Sequence, residues 1–250
     1  MGLRIVHISD THGSKWHSKL EIPECDVLIH SGDIGGRTNV FELTEFLVWF
    51  EKQPAKKKVW VAGNHDLILD KDWVRRKKKD LDSVAAMILE QQYDDAQRLL
   101  KVYDTTYLFS SGFEYEGVKF WGSAITPSFH REHWAFNKDR GEEISKEWSK
   151  IPGDTDVLIT HGPPYGLLDS ISEKYKSHPD EDIHRGCEDL LGVIKKRLLK
   201  LKLHCFGHIH ENTGLVQVPI SNSRRVWFSN GAIMTNGGDI VYPKPFIINL

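Results

Sequence analysis

Short apolar runs recur along this chain, and five of them lead directly into a cluster of polar residues. The five runs extend from Leu3 to Ile8, Val27 to Ile29, Val59 to Val61, Val157 to Ile159 and Leu203 to Phe206. Short apolar segments rich in β-branched residues are typical of buried strands. Because an open α/β sheet gathers its functional side chains at the carboxyl ends of its strands, residues far apart in sequence can meet there.

Helical periodicity appears between the predicted strands. Apolar residues spaced for one helix face from Val40 to Phe50 predict a helix that Thr38 or Asn39 can cap. A second amphipathic helix is predicted within residues 186–202. The region from about 67 to 100 departs from the strand pattern, and we expect a helical insert there.

The second half of the chain has a different pattern. Glu116 and Gly117 separate two short aromatic and β-branched runs, as a hairpin turn would. Similar short runs follow at 215–218, 226–229 and 246–248. Alternating strands and helices that give way to hairpins predict sheets of mixed direction.

The polar residues that follow the first five runs are mainly Asp, His and Asn. They are Asp10-Thr11-His12, Gly32-Asp33, Gly63-Asn64-His65-Asp66, His161-Gly162 and Gly207-His208-Ile209-His210. Oxygen and imidazole donors suit Mn, Fe, Zn or Co. Two such cations about 3.5 to 4 Å apart lower the pKa of a shared water and so generate a hydroxide near neutral pH. The set predicts a two-metal hydrolytic site, with Asp33 as bridging ligand because a carboxylate has two oxygens.

In their order these clusters resemble the signature of the calcineurin-like metallophosphoesterases: D-x-H, G-D, G-N-H-D, a lone His and G-H-x-H. The stretch from Thr160 to Pro164, with Gly186 to Glu188 downstream, is also similar to a subgroup of metallophosphoesterase-domain proteins related to the class III cyclic nucleotide phosphodiesterases. The resemblance implies a four-layer α/β/β/α sandwich, in which helices flank two mixed sheets. Since the clusters span residues 10 to 210, we expect one domain over residues 1–250.

The same resemblance implies that a hydroxide bridging two divalent metal ions attacks the phosphorus of a phosphoester, and it implies a ligand set for the two ions. It assigns the first metal to Asp10, His12, Asp33 and His210. It assigns the second metal to Asp33, Asn64, His161 and His208. Some members of the subgroup carry a non-ligand residue in place of the histidine at 208, so its presence here predicts a complete second site. We expect manganese to be the ion most able to support activity.

Two residues beside the ligands are candidates for catalysis. His65 is not assigned to a metal, and its position next to Asn64 can hold it near the leaving oxygen as a general acid. Asp66 can orient His65, although bonding to the backbone of the turn is an equally good interpretation of that carboxylate.

Four further residues are candidates for substrate contact: Arg37, Trp121, Phe129 and Trp134. The aromatic residues can stack on a base or form a satellite hydrophobic cluster, and Arg37 can bind phosphate or face solvent. His130 and His133 lie in the same aromatic segment and can border the pocket. The remaining histidines have the ordinary interpretation of hydrogen-bonded core or loop residues, namely His7, His30, His178, His184 and His204.

Composition narrows the possible partners and location. The formal charge is −2, from 33 basic and 35 acidic residues, which indicates no nucleic-acid polymer or membrane as a partner. The basic run at 75–79 is flanked by acidic residues, so a solvated helical face is the better interpretation. No apolar stretch reaches 18 residues, and no signal peptide is evident. Three sparse cysteines favour a reduced, cytoplasmic setting, and nothing predicts the oligomeric state.

The substrate is expected to be a small phosphodiester, with cyclic nucleotides as candidates. Protein dephosphorylation is disfavoured because Ile34, Gly35 and Gly36 follow Asp33, where serine/threonine protein phosphatases have Val-Asp-Arg. A phosphomonoesterase or nucleotidase is the alternative, since the same metal core serves both reactions. A weakly active scaffold protein of this fold is a further alternative. The complete predicted ligand set favours an enzyme.

Overall fold

A computed structural model describes residues 2–129, 133–176, 178–234 and 244–250. His130 falls outside these residues. In chain order the strands are β1 (Arg4–Ile8), β2 (Cys25–His30), β3 (Ala55–Trp60), β4 (Thr106–Tyr107), β5 (Ser111–Tyr115), β6 (Val118–Ser123), β7 (Thr126–Pro127), β8 (Asn137–Lys138), β9 (Val157–Thr160), β10 (Leu203–Phe206), β11 (Gly214–Ser221), β12 (Arg224–Asn230) and β13 (Phe246–Asn249). The α-helices are α1 (Val40–Glu51), α2 (Lys71–Lys77), α3 (Ser83–Leu99), α4 (Glu142–Trp148) and α5 (Glu188–Lys196).

Two large sheets of mixed direction organise the described chain. The first has the order β13-β1-β2-β3-β4, in which β1 to β4 are parallel and β13 is antiparallel to β1. The second has the order β11-β12-β10-β9-β6-β5, with antiparallel pairs only at its two edges. The predicted hairpin is confirmed, because β5 and β6 join through Glu116 and Gly117, which both have positive φ.

The two sheets pack face to face around a largely apolar layer. Buried residues from both sheets form this layer, among them Ile5, Val27, Ile29, Val59, Val157, Ile159, Leu203 and Cys205. Successive side chains of a strand point to opposite faces, so the alternate residues of the same strands face the helices. Val6, Leu28, Leu158 and Phe206 accordingly belong to the other core cluster, which includes the helix residues.

Helices cover the outer face of each sheet. On the first sheet, the ring of Phe46 in α1 lies 5.1 Å from the ring of Trp60 in β3. On the second sheet, Arg224 of β12 donates a hydrogen bond of 3.0 Å to the carbonyl of Ile194 in α5. The predicted four-layer α/β/β/α architecture is therefore confirmed.

The sequence located α1, α5 and the helical insert, but it did not predict α4 or every helix boundary. Asn39, rather than Thr38, caps α1 through a reciprocal pair of bonds with Glu42. The insert is helical, as predicted, and contains α2 and α3. Helix α5 is shorter than the range predicted for it and ends at Lys196. Among the described residues, no helix combines the length and apolarity needed to cross a bilayer.

Candidate metal centre

The predicted ligands lie at the carboxyl ends of parallel strands from both sheets. Asp10 follows β1, Asp33 follows β2, and Asn64 follows β3. In the second sheet, His161 follows β9 directly, and the loop after β10 carries His208 and His210. Because the sheets face each other, these ends come together as the strand-edge rule predicts.

One group of donor atoms contains Asp10, His12 and His210. The Nε2 atom of His210 lies 3.1 Å from Oδ1 of Asp10 and 3.2 Å from Nε2 of His12. The same Asp10 oxygen is 4.0 Å from Nε2 of His12. Asp10 also accepts a hydrogen bond from the backbone amide of His208, so the carboxylate positions the loop that carries two predicted ligands.

A second group contains Asp33, His161 and His208. The Nε2 atom of His161 lies 3.3 Å from Oδ2 of Asp33 and 3.0 Å from Oδ1 of Asn64. The ring of His208 has its centroid 5.0 Å from that of His161. Asn64 thus joins this group, in the place that the family resemblance implies for it.

Asp33 connects the two groups through a single oxygen. Its Oδ2 atom lies 3.3 Å from Nε2 of His161 and 3.8 Å from Nε2 of His12. Its Oδ1 atom accepts a hydrogen bond of 2.8 Å from the backbone amide of His65. The sequence argument gave one carboxylate oxygen to each metal, whereas the structure aims Oδ2 at both groups and engages Oδ1 elsewhere.

The backbone at this site is strained. Asp10, His12, Asp33 and His208 all have positive φ, between 45° and 70°. Residues with a Cβ atom avoid this left-handed region, and such strain is characteristic of functional sites. Four predicted ligands therefore hold backbone conformations that only the surrounding structure can impose.

Two glycines of the sequence clusters allow the close approach of ligands. A Cβ atom on Gly63 would overlap Asp33 and contact the ring of His161. A Cβ atom on Gly207 would overlap Asp10 and Ser9. Glycine is needed at both positions because no side chain fits between the backbone and the ligands.

Asp66 acts on the backbone and not on His65. Its buried carboxylate accepts hydrogen bonds from the amides of Gly63, Asp33 and Ile34 and from the hydroxyl of Thr38. Of the two interpretations left open by the sequence, bonding to the turn is the one the structure shows. The catalytic role of Asp66 therefore stays a prediction, and its observed hydrogen bonds hold the backbone of Asp33 and of the turn after β3. Burial and the nearby Asp33 carboxylate raise the pKa of Asp66 to about 7.

His65 faces the centre with one ring nitrogen. Its Nδ1 atom lies 2.5 Å from the carbonyl oxygen of Gly36, which can only accept, so Nδ1 carries a proton. Its Nε2 atom lies 4.0 Å from Oδ2 of Asp33, and His12, Asp33 and His65 form a third group whose donor atoms are close enough to hold a metal. The imidazole therefore presents Nε2 to the space beside the predicted bridging ligand.

The electrostatics divide the histidines into two kinds. Burial alone would lower the pKa of His161, but the charge and hydrogen bond of Asp33, with Asp10 and the Ser31 carbonyl, raise it to about 9. In His210, the hydrogen bond and charge of Asp10 likewise outweigh burial and raise the pKa. Burial lowers the pKa of His12, and it lowers that of His208 to about 3. Both of these rings favour the neutral form that a metal ligand needs.

A buried network extends from His161 into the space between the sheets. The Nδ1 atom of His161 donates to the carbonyl of Ser31 at 2.9 Å. The hydroxyl of Ser31 lies 2.9 Å from Nε2 of His7, whose Nδ1 lies 2.7 Å from the hydroxyl of Ser229 in the second sheet. Sequence reasoning missed the roles of Ser31 and Ser229. The available signal was a histidine among the apolar residues of β1.

Other histidines have the structural roles expected of them. His30 and His204 are buried and bonded to the hydroxyls of Thr11 and Thr160. Burial lowers the pKa of each to about 3. His184 is bonded to the buried carboxylate of Asp169, and His178 is exposed.

Three of the four predicted substrate-contact residues lie near the centre. The ring of Trp134 lies 4.1 Å from that of His65, and Arg37 is 5.3 Å from the Trp134 ring. The ring of Phe129 lies 6.4 Å from Trp134 and 5.3 Å from His208. Trp121 is the exception: it is 3% exposed and belongs to the hydrophobic core. Its place in β6 directs it to the helix-covered face, so the structure does not bring it to the site.

The donor set fits a pair of divalent cations. Within each group the donor atoms lie within 4.8 Å of one another. The Nε2 atoms of His12 and His210 lie 3.2 Å apart beside the buried carboxylate of Asp10. Two imidazole nitrogens at this distance share either a cation or a proton. Carboxylate, imidazole and amide donors are the types that Mn, Fe, Zn and Co accept.

Comparison with known proteins identifies the family. A family model described as calcineurin-like phosphoesterase matches residues 3–212. Metallophosphoesterase domain-containing protein 1 of Homo sapiens is 35% identical over 217 residues, which cover 85% of this chain and 62% of that protein. A UPF0046 protein of Caenorhabditis elegans is 32% identical over 245 residues, which cover 98% of this chain and 74% of that protein. This chain belongs to the calcineurin-like phosphoesterase family, whose members generally bind two divalent metals.

The matched part of this chain spans about 62% of the length of the human relative. Among solved structures, a protein of unknown function from Aquifex aeolicus aligns over 98% of this chain and 95% of its own, with a TM-score of 0.38 and 17% identity. This structural likeness is low. The family membership of the chain is shown by the family model and by the sequence relatives.

Proposed function

We propose that this protein is a divalent-metal-dependent phosphodiesterase for small phosphodiesters, with cyclic nucleotides among its candidate substrates. The observation that carries the proposal is the position of Oδ2 of Asp33 between Nε2 of His12 and Nε2 of His161. Two cations held by Asp10, His12, Asp33 and His210, and by Asp33, Asn64, His161 and His208, would neutralise the phosphate and lower the pKa of a water molecule.

The protein side chains supply the remaining parts of the reaction. His65 is held at Nδ1 by the Gly36 carbonyl, so its Nε2 atom is the one that exchanges a proton with the leaving oxygen. Trp134 packs on the same ring and shields it from water on one side. Arg37 is exposed beside Trp134, where its guanidinium can pair with a phosphate oxygen.

Asp66 preorganises this arrangement. By accepting hydrogen bonds from the amides of Gly63, Asp33 and Ile34, it fixes the turn that follows β3 against the turn that follows β2. That contact sets the orientation of the Asp33 carboxylate. Since both sheets contribute to the centre, we propose that one domain carries the complete active site.

Metal removal and restoration test the proposal. Protein treated with a chelator should lose hydrolysis of bis(p-nitrophenyl) phosphate and regain it when manganese is added. Asp33→Asn, purified in the same way, controls for a contaminating hydrolase. Full activity in metal-free protein would overturn the metal-dependent mechanism. Faster turnover of p-nitrophenyl phosphate than of the diester would show a phosphomonoesterase instead. No hydrolysis of any ester by metal-loaded protein would show a binding protein of this fold.

A further inference from the structure

A cleft of about 650 Å³ opens beside the metal centre, on the side of His208. We call it the lateral cleft. One wall comes from residues 127–129, and the loop after β10 forms the floor. The other wall is lined by Ile171, Tyr175, Glu181 and Arg185. Its volume is in the range of small-molecule sites. His208 lines the cleft and also belongs to the second donor group, so the cleft continues directly into the centre.

An aromatic wall leads from His65 to the lateral cleft. The ring of His65 contacts the ring of Trp134. The ring of Phe129 is the next one along the wall, and it lies against His208. A phosphoryl group above the donor atoms therefore has His65 at one end of this wall and the cleft at the other. A leaving oxygen placed at Nε2 of His65 sends the second substituent of phosphorus towards the cleft.

The character of the cleft selects an uncharged, planar substituent. Phe129 and Tyr175 line it with rings that are 39% and 44% exposed, and Ile171 adds an apolar surface. Its charges balance, since Arg140 and Arg185 are matched by Glu181 and Glu211. Because the cleft has no excess of positive charge, it attracts a second phosphate group only weakly. An aryl group or a nucleoside, in contrast, can stack on the exposed rings.

The arginines hold the cleft in shape. Arg140 donates hydrogen bonds of 2.8 and 2.9 Å to the carbonyls of Gly186 and Arg185. Arg185 in turn donates 2.7 Å to Glu181. Both guanidinium groups are thus committed to the wall itself. The cleft is preformed, which reduces the entropy that a bound group must lose.

We infer that the lateral cleft binds the retained arm of a phosphodiester, and that this arm is an uncharged planar group such as an aryl or nucleoside. The inference rests on the proposed function. In the reaction, water adds to phosphorus, the bond to the leaving oxygen breaks, and that oxygen takes a proton. For an acyclic diester the products are a free alcohol on the His65 side and a phosphomonoester whose organic arm lies in the cleft, whereas a cyclic nucleotide opens to a single phosphomonoester that carries both groups. A monoester substrate has no group to fill this space.

Three esters with the same leaving group test the inference. Phenyl p-nitrophenyl phosphate, methyl p-nitrophenyl phosphate and p-nitrophenyl phosphate differ only in the arm that the cleft would hold. The manganese-loaded protein should have its highest kcat/KM on the phenyl ester. Tyr175→Ala should lower the phenyl-to-methyl ratio of kcat/KM about tenfold, as expected for one lost ring contact. Since Tyr175 is exposed, the variant should keep the melting temperature of the wild type.

The control is Phe41→Ala, which removes an exposed ring on α1 that is 69% accessible and does not line the cleft. It should leave the phenyl-to-methyl ratio unchanged. Metal-dependent hydrolysis with the same ratio in wild type and Tyr175→Ala would overturn the inference and leave the proposed function standing. If none of the esters is hydrolysed, the proposed function fails. Calorimetry then compares the affinities of diphenyl phosphate and dimethyl phosphate, which tests the role of the cleft without catalysis. Equal affinities would overturn the inference.

Discussion

The Nδ1 atom of His161 donates a hydrogen bond of 2.9 Å to the carbonyl oxygen of Ser31, and this contact decides which ring nitrogen faces the metal centre. Because Nδ1 donates to Ser31, Nε2 is the atom that faces Asp33 and Asn64, and its lone pair becomes available to a metal once the second proton leaves. Replacing a group that holds a ligand in this way typically lowers metal affinity or activity about 10- to 100-fold. Ser31 is held in turn by His7, which connects the two sheets.

His7 is therefore predicted to affect both stability and metal binding. His7→Leu leaves the buried hydroxyls of Ser31 and Ser229 without their partner, which should cost about 1 to 3 kcal/mol in the free energy of unfolding. Looser positioning of Ser31 should weaken manganese binding about 10-fold or more. Urea unfolding and calorimetric titration measure the two effects. His178→Leu, at an exposed histidine, is the matched control and should change neither. Unaltered metal affinity in His7→Leu would show that the network does not reach the site.

The raised pKa of His161 predicts opposite pH dependences with and without metal. In the metal-free protein this pKa is about 9, above the usual value of 6.5, because of Asp33 and Asp10. The protonated ring therefore stabilises the fold fully below about pH 6.5, and this stabilisation is lost as pH rises through 9. A metal must displace that proton, so the increase in melting temperature caused by manganese should grow over the same range. An increase that is constant from pH 6.5 to 9 would contradict the assignment of His161 as a ligand.

His65→Ala should separate catalysis from metal binding. The variant should retain its metal content, because the ring of His65 belongs to neither predicted ligand set. Loss of the general acid should reduce kcat by about 10² to 10⁴ on esters with poor leaving groups. For esters of p-nitrophenol, kcat should fall much less, since their leaving group needs no proton. Metal analysis beside the rate measurements distinguishes the roles, and a collapse in metal content would make His65 a ligand.

The fold and the ligand positions were accessible from sequence for one physical reason. Each predicted ligand follows an apolar run, and a buried parallel strand ends where such a run ends. Asp10, Asp33 and His161 could therefore be placed at a sheet edge without knowing any contact. The order of the clusters then supplied the family.

Contacts made by the backbone could not be predicted in the same way. The partner of His65 is the carbonyl of Gly36, and the partners of Asp66 are mainly amides, which every residue carries. Nothing in the sequence distinguishes these groups from their neighbours. The prediction that Trp121 contacts the substrate was wrong for a different reason. A strand buried on both faces has no polar side, so its pattern does not show which face receives each residue.

The manganese stoichiometry of Asp33→Asn tests the central claim most directly. The His65 amide donates to Oδ1 of Asp33, so an asparagine there accepts this bond with its oxygen and turns its NH₂ group towards both donor groups. A donor aimed at cations repels them. Equilibrium dialysis with metal analysis should find two manganese ions per wild-type chain, near one for His208→Ala and close to none for Asp33→Asn. Two ions bound by Asp33→Asn with unchanged affinity would contradict the account.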